Sequence, residues 1–143
     1  MSTTDLTGNL GTIAEEFRAA PDDMRIDLLL EYAEALPALP ETLDSSGMEQ
    51  VVECQTPFFL HAEVADDDSV RLWFDCPPEA PTTRAFAGIL AEGLRGATVD
   101  EVLAVPEDLA ERMGLGQTIS PLRLRGMHAI IVRLKRQVRV SRR

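Results

Sequence analysis

The chain has 143 residues, 45% of them hydrophobic and 27% charged, which suits one domain with a core of its own and no need of disulfides or metals as staples. No stretch approaches the roughly 20 apolar residues that cross a bilayer, and the start, MSTTDLTGNLGTIAEE, lacks the basic and apolar regions of a secretory signal, so a cytoplasmic protein without membrane contact is expected. The net charge of −10 is uneven: residues 1–122 hold all 24 acidic and 6 of the 14 basic residues, a net −18, which leaves +8 for the last 21.

Residues 8–19 (GNLGTIAEEFRA) predict a helix, with Leu10, Ile13, Ala14 and Phe17 at helical spacing and Pro21 as its end. Asp22 or Asp23 is placed to cap a second helix through about Ala35, with Leu28, Leu29, Tyr32 and Leu36 as its apolar stripe. Residues 37–50, which mix Pro, Asp, Ser and Gly without periodicity, predict a loop. Residues 58–64 and 70–74 predict the strands of an antiparallel hairpin, joined by a polar turn at 65–69 whose three aspartates form a solvated tip. Thr82 or Thr83 is placed to cap a helix through Leu94, with Phe86, Ile89 and Leu90 inward. Thr98-Val99-Asp100-Glu101 is a capping-box pattern for a short helix, and Pro106 opens another that stops near Gly114. Ser120 and Pro121 supply the cap and first position of a long amphipathic helix carrying Met127, Ile130, Ile131, Leu134 and Val138. Arg133, Lys135, Arg136 and Arg139 are read as complementing the C-terminal dipole of that helix; nucleic acid is not an expected partner, because the acidic bulk of the chain repels phosphates. Residues 1–8 and 139–143 are expected as flexible ends. A pair or triple of strands framed by helices from both ends of the chain reads as α+β, a small antiparallel sheet packed against helices.

Two cysteines are present, expected as free thiols in a reducing compartment. Cys54 follows the 37–50 loop among Glu53, Gln55, Thr56 and Pro57, residues that suit a loop tip or strand entrance, where a thiolate is reachable. From local sequence alone a reactive thiol and an inert buried one both remain open. Cys76, beside Pro77 and Pro78, is the weaker candidate, and the two cysteines are expected at opposite ends of the hairpin. His61 in mid-strand and His128 on the last helix read as structural or solvated. Positions 54, 61, 76 and 128 lack the close paired spacing of a zinc site, and no phosphate-binding glycine motif is present, so no metal or cofactor is expected. Glu15, Glu16, Asp22 and Asp23 are read as a solvated helix face.

The order of these features resembles the SufE family of sulfur acceptors in iron-sulfur cluster assembly. The resemblance covers about residues 10–138 and is carried most specifically by Val51-Val52-Glu53-Cys54-Gln55 and by the run from Gly114-Leu115 through Ile119-Ser120-Pro121-Leu122-Arg123 to Gly126-Met127. It implies a fold similar to the IscU-type cluster scaffolds and a single domain over 1–143. It further implies that Cys54 accepts sulfane sulfur from a PLP-dependent, SufS-like cysteine desulfurase, stimulates that enzyme, and passes the sulfur to a SufBCD-like iron-sulfur scaffold. Gln55 and Arg123 would support Cys54. Such a protein is a persulfide carrier, a monomer or weak dimer with no cofactor of its own, rather than a stand-alone enzyme. The alternatives are an IscU-type scaffold, which needs several thiolate ligands together, and an interaction domain in which the thiol takes no part. This chain departs from the family pattern in having Glu53 where Gly commonly precedes the cysteine. A carboxylate beside a thiol raises its pKa unless it points away.

Overall fold

A computed structural model describes residues 8–141 of the chain. Two helices come first, α1 (Gly8–Ala19) and α2 (Asp22–Glu34), followed by a single 3-10 turn at Ser45–Gly47. A three-stranded antiparallel sheet comes next, β1 (Glu49–Gln50), β2 (Phe59–Val64) and β3 (Val70–Asp75), in the order β1-β2-β3. Helices α3 (Pro81–Gly93), α4 (Val99–Leu103), α5 (Leu109–Arg112) and α6 (Pro121–Ser141) complete the chain, with a 3-10 turn at Leu115–Gln117 before α6. This is the expected α+β arrangement. Of the expected flexible ends, residues 1–7 and 142–143 lie outside the described residues; Gly8 and residues 139–141 are helical.

The hairpin pairs six residues, from Phe59 opposite Asp75 to Val64 opposite Val70. Its alternation follows the two-residue period of a half-buried strand: Leu60 and Ala62 are buried while His61 and Glu63 face outward. That register brings Cys76, which follows Asp75, to the same open end of the hairpin as residue 58, so the two cysteines are not held apart at opposite ends. The loop expected over 37–50 closes with β1, two polar residues that add to the free edge of β2 through Glu49 opposite Leu60 and Gln50 opposite Phe59. No apolar alternation marks so short a strand.

Helix α6 lies along β2, and α2 and α1 pack on α3. The predicted α6 stripe is the buried one: Met127, Ile130, Ile131, Leu134 and Val138 are all at most 2% exposed. Gly88 permits the contact of α3 with α2, since a Cβ there would stand 2.0 Å from the Tyr32 carbonyl oxygen. The capping box at Thr98 forms as predicted, the Glu101 amide donating to Thr98 Oγ1 and the Thr98 amide to the Glu101 carboxylate. Three other helix starts differ. Pro21 occupies the cap of α2, with Asp22 and Asp23 in its first turn, where their charge suits the helix N-terminus. Pro81 opens α3 without a side-chain cap, one position ahead of Thr82, as a residue with preset φ favours. Pro106 sits in a turn ahead of α5, which begins at Leu109. No helix among the described residues is long and apolar enough to cross a membrane.

Candidate functional site

Cys54 stands at the tip of the loop joining β1 to β2. The loop is closed at its base by the Val51 amide donating to the Phe58 carbonyl at 2.8 Å, both residues being fully buried, and it turns through the Cys54 amide donating to the Val51 carbonyl at 3.1 Å. Two anchored apolar residues thus present a short polar tip. Within it Cys54 is half-buried, and Val52, Glu53 and Gln55 are exposed. The tip rests on α6 at Gly126, whose carbonyl oxygen lies 3.9 Å from Cys54 Sγ. A Cβ at Gly126 would come within 3.3 Å of Sγ and 3.5 Å of Cys54 Cα, so the absence of a side chain there is what lets the thiol settle on the helix. Thr56 Oγ1, in the same loop, is buried and has no hydrogen-bond partner among the described residues, an arrangement that costs about 1–3 kcal/mol.

The Glu53 carboxylate is engaged by Arg133 yet stays close enough to the thiol to raise its pKa. The Arg133 guanidinium donates to Glu53 through Nε (3.1 Å) and Nη2 (2.9 and 3.1 Å), and through Nη1 to Glu49 of β1 at 2.6 Å. Arg136 also pairs with Glu49, and the Gln137 amide donates to Glu49 at 2.9 Å. Gln137 completes the sheet edge as well: it accepts from the Ala62 amide at 2.7 Å, beyond the pairing of β1, and donates to the Leu60 carbonyl at 3.3 Å. Lys135 pairs with Glu107 at 2.7 Å. Of the four basic residues assigned from sequence to the helix dipole, only Arg139 lies in the last turn. Arg133, Lys135 and Arg136 instead tie α6 to segments far away in sequence.

The electrostatics follow from this packing. Burial, then the neighbouring Glu53 and Cys76, push the Cys54 thiol up to about 12, against the opposing pull of Arg133. The thiol at rest therefore keeps its proton. Cys76, 5% exposed, is pushed up to about 11 by burial, with Arg84 opposing; Arg84 also donates to the Cys76 carbonyl at 2.8 Å. Burial works against ionisation of Glu49, but Gln137, Arg136 and Arg133 outweigh it and hold that carboxyl below its ordinary value. Glu53 is likewise held low, first by its own backbone amide and then by Arg133, while slight burial opposes.

The cation that acts on the thiol is thus Arg133. Arg123 lies exposed in the first turn of α6, one turn before Gly126. Its amide donates to the capping Ser120 Oγ (3.3 Å), while its guanidinium forms no ion pair among the described residues. Gln55 is exposed beside Cys54. Sequence reasoning missed Gly126, Arg133 and Glu49 as parts of this site. A glycine inside an otherwise helical pattern was the available signal, because it marks a close approach of another chain segment. Beside the tip lies a cleft of about 410 Å³ with Glu53 on its rim, lined by Arg125, His128, Val132, Arg133 and Arg136 of α6. Among the described residues no group of three or more His, Cys, Asp or Glu side chains is placed to hold a metal ion.

The SufE family model, described as an Fe-S metabolism associated domain, matches residues 11–138, a span that includes the Cys54 loop and nearly all of α6. The chain belongs to the SufE family. It is 49% identical over 134 residues, 94% of either chain, to an uncharacterized SufE-like protein of Mycobacterium tuberculosis. A solution structure of a hypothetical protein from Thermus thermophilus matches this SufE fold with a TM-score of 0.85 and 44% identity, covering 95% of this chain and 97% of that one. The chain is also 30% identical over 134 residues to a chloroplastic quinolinate synthase of Nicotiana tabacum, of which it spans only 18%. A SufE-like unit therefore occurs both alone and within a longer protein. Membership of this family associates the chain with iron-sulfur metabolism.

Proposed function

We propose that Cys54 is a sulfur acceptor, taking sulfane sulfur from the persulfide of a cysteine desulfurase and handing it to an iron-sulfur scaffold. The observation that carries this reading is the placement of the family's Cys-Gln pair at the tip of a short anchored loop, half-buried against a glycine of α6. Such a thiol is shielded at rest and can be exposed by moving only the loop. In the transfer, the Cys54 thiolate attacks the terminal sulfur of the donor persulfide. One S–S bond forms as the other breaks, the donor cysteine leaves as a thiolate, and no net oxidation occurs. The raised pKa of Cys54 means that its proton must be lost once the loop has moved to a wetter and more cationic setting, which ties reactivity to partner docking. A bound persulfide that returned to the same position would be screened from water and from stray thiols.

The test is to incubate the protein with a cysteine desulfurase and cysteine, and to weigh the Cys54 peptide under non-reducing conditions. A mass gain of one sulfur atom on that peptide is expected, together with faster desulfurase turnover, and both should vanish in Cys54→Ser. A gain that persists in Cys54→Ser, or none in the unaltered protein, would sink the reading.

A further inference from the structure

We propose that the cleft beside Cys54 receives a carboxylate side chain of the sulfur-donating protein, and that this carboxylate takes Arg133 from Glu53 and so frees the Cys54 loop from α6. The proposal rests on the reading of Cys54 as the acceptor. Its starting point is that the side-chain hydrogen bonds between the loop tip and α6, among the described residues, are those of Glu53 with Arg133 and the long contact of Cys54 Sγ with the Gly126 carbonyl. Glu53 is therefore the latch of the loop. Planar two-point pairing gives the latch a defined geometry. With side chains 21% and 39% exposed, the pair is also open to a competitor, and its strength is that of a surface pair rather than a buried one.

The cleft has the chemistry of that competitor. Arg125 and His128 form no ion pair among the described residues, and they line the cleft with Arg133 and Arg136. The region is a cationic recess on a chain whose first 122 residues carry a net −18. Val132, 44% exposed, gives the recess an apolar floor suited to the stem of an Asp or Glu side chain. Glu53 itself demonstrates how a carboxylate fits the Arg133 fork. The buried hydroxyl of Thr56, unpaired in the closed loop, would find water once the loop moves, which favours the open form.

Two variants separate the latch from the dock. Glu53→Gln removes the latch and keeps the cations, whereas Arg125→Gln removes a docking cation that the latch does not use. With the protein alone, Cys54 alkylation by iodoacetamide, followed by peptide mass mapping, is expected to run about three- to fivefold faster in Glu53→Gln and at the unaltered rate in Arg125→Gln. Cys76 should stay unlabelled in both; labelling of Cys76 would mean unfolding and not loop release. With a cysteine desulfurase as sulfur donor, Arg125→Gln should need severalfold more desulfurase for half-maximal charging, and Glu53→Gln less than the unaltered protein. Unaltered Cys54 alkylation in Glu53→Gln overturns the latch, and an unaltered concentration dependence in Arg125→Gln overturns the dock. Failure of the unaltered protein to take up sulfur at all would instead overturn the acceptor role and the dock with it, while the alkylation result, obtained without any desulfurase, would still decide the latch.

Discussion

Replacing Gly126 tests whether the resting place of the thiol depends on a missing side chain. In the interior of a helix, alanine is favoured over glycine by about 1 kcal/mol, so Gly126→Ala should stabilise α6 if nothing opposed it. What opposes it is the Cys54 loop: the new Cβ would stand 3.3 Å from Sγ, 3.5 Å from Cys54 Cα and 3.6 Å from the Glu53 carbonyl oxygen, so the loop must retreat by a few tenths of an ångström. The loop is half-exposed and can give way, and its retreat cancels much of the helical gain. The net change in stability should stay within about 1 kcal/mol, a shift of melting temperature of no more than about 4 °C for a chain of this size. Gly126→Val adds two further methyl groups in the same direction; the loop can no longer lie on α6, and the geometry that joins Glu53 to Arg133 is lost with it. The assay pairs a thermal melt with iodoacetamide labelling of Cys54 in each variant. Labelling should rise slightly in Gly126→Ala and about tenfold in Gly126→Val, the difference between a shifted loop and a displaced one, or about 1.4 kcal/mol of lost closure. Labelling at the unaltered rate in Gly126→Val would refute the reasoning, and so would a Gly126→Ala melt lowered by much more than 4 °C, which would make the contact rigid.

Gln137→Leu should leave the Ala62 amide without its acceptor at the edge of β2, at a cost of about 1–3 kcal/mol; hydrogen exchange at Ala62 should quicken while the amides that pair β2 with β3 keep their protection. Stability should also fall in alkali. The folded protein holds the Cys54 and Cys76 protons to about pH 12 and 11, against an ordinary thiol value of 9.0, so their contribution is complete below about pH 9 and is lost as the pH rises through those folded values. Urea melts at pH 8 and pH 10.5 should show the loss, and it should shrink in the double variant Cys54→Ser, Cys76→Ser; an unchanged loss in that variant would assign it to other groups, such as Tyr32, which burial raises to about 12.

The elements legible in the sequence are those held by local chemistry. The apolar spacing of α1 and α6, the alternation along β2 and the Thr98 capping box each depend on residues within a few positions of one another, and each appears in the structure where the pattern places it. The helix starts at Pro21 and Pro81 were shifted by a residue because proline's preset φ competes with the neighbouring Asp and Thr caps. Strand β1 was not legible at all. Glu49 and Gln50 have no strand pattern, and they pair with β2 while Glu49 is held by Arg133, Arg136 and Gln137, residues more than 80 positions away. The site divides in the same way. Cys54 was visible from its motif and its turn-forming neighbours, but the groups that set its environment come from the far end of the chain. Glu53 read alone predicts a carboxylate that raises the pKa of the neighbouring thiol, and it does so; its pairing with Arg133, 80 positions on, was not legible.

The brevity of β1 has a consequence for turnover. Six residue pairs join β2 to β3, and only two join β1 to β2, so the molecule contains a durable unit and a small appended one that can open by itself. Moving the Cys54 loop disturbs at most the appended unit; the ladder, the buried stripe of α6 and the contact of α2 with α3 are spectators. A protein that repeatedly loads and unloads one atom needs such insulation, because each cycle would otherwise sample partial unfolding of its core. The shorter of the two ladders, two residue pairs against six, thus adjoins the loop of the proposed acceptor Cys54.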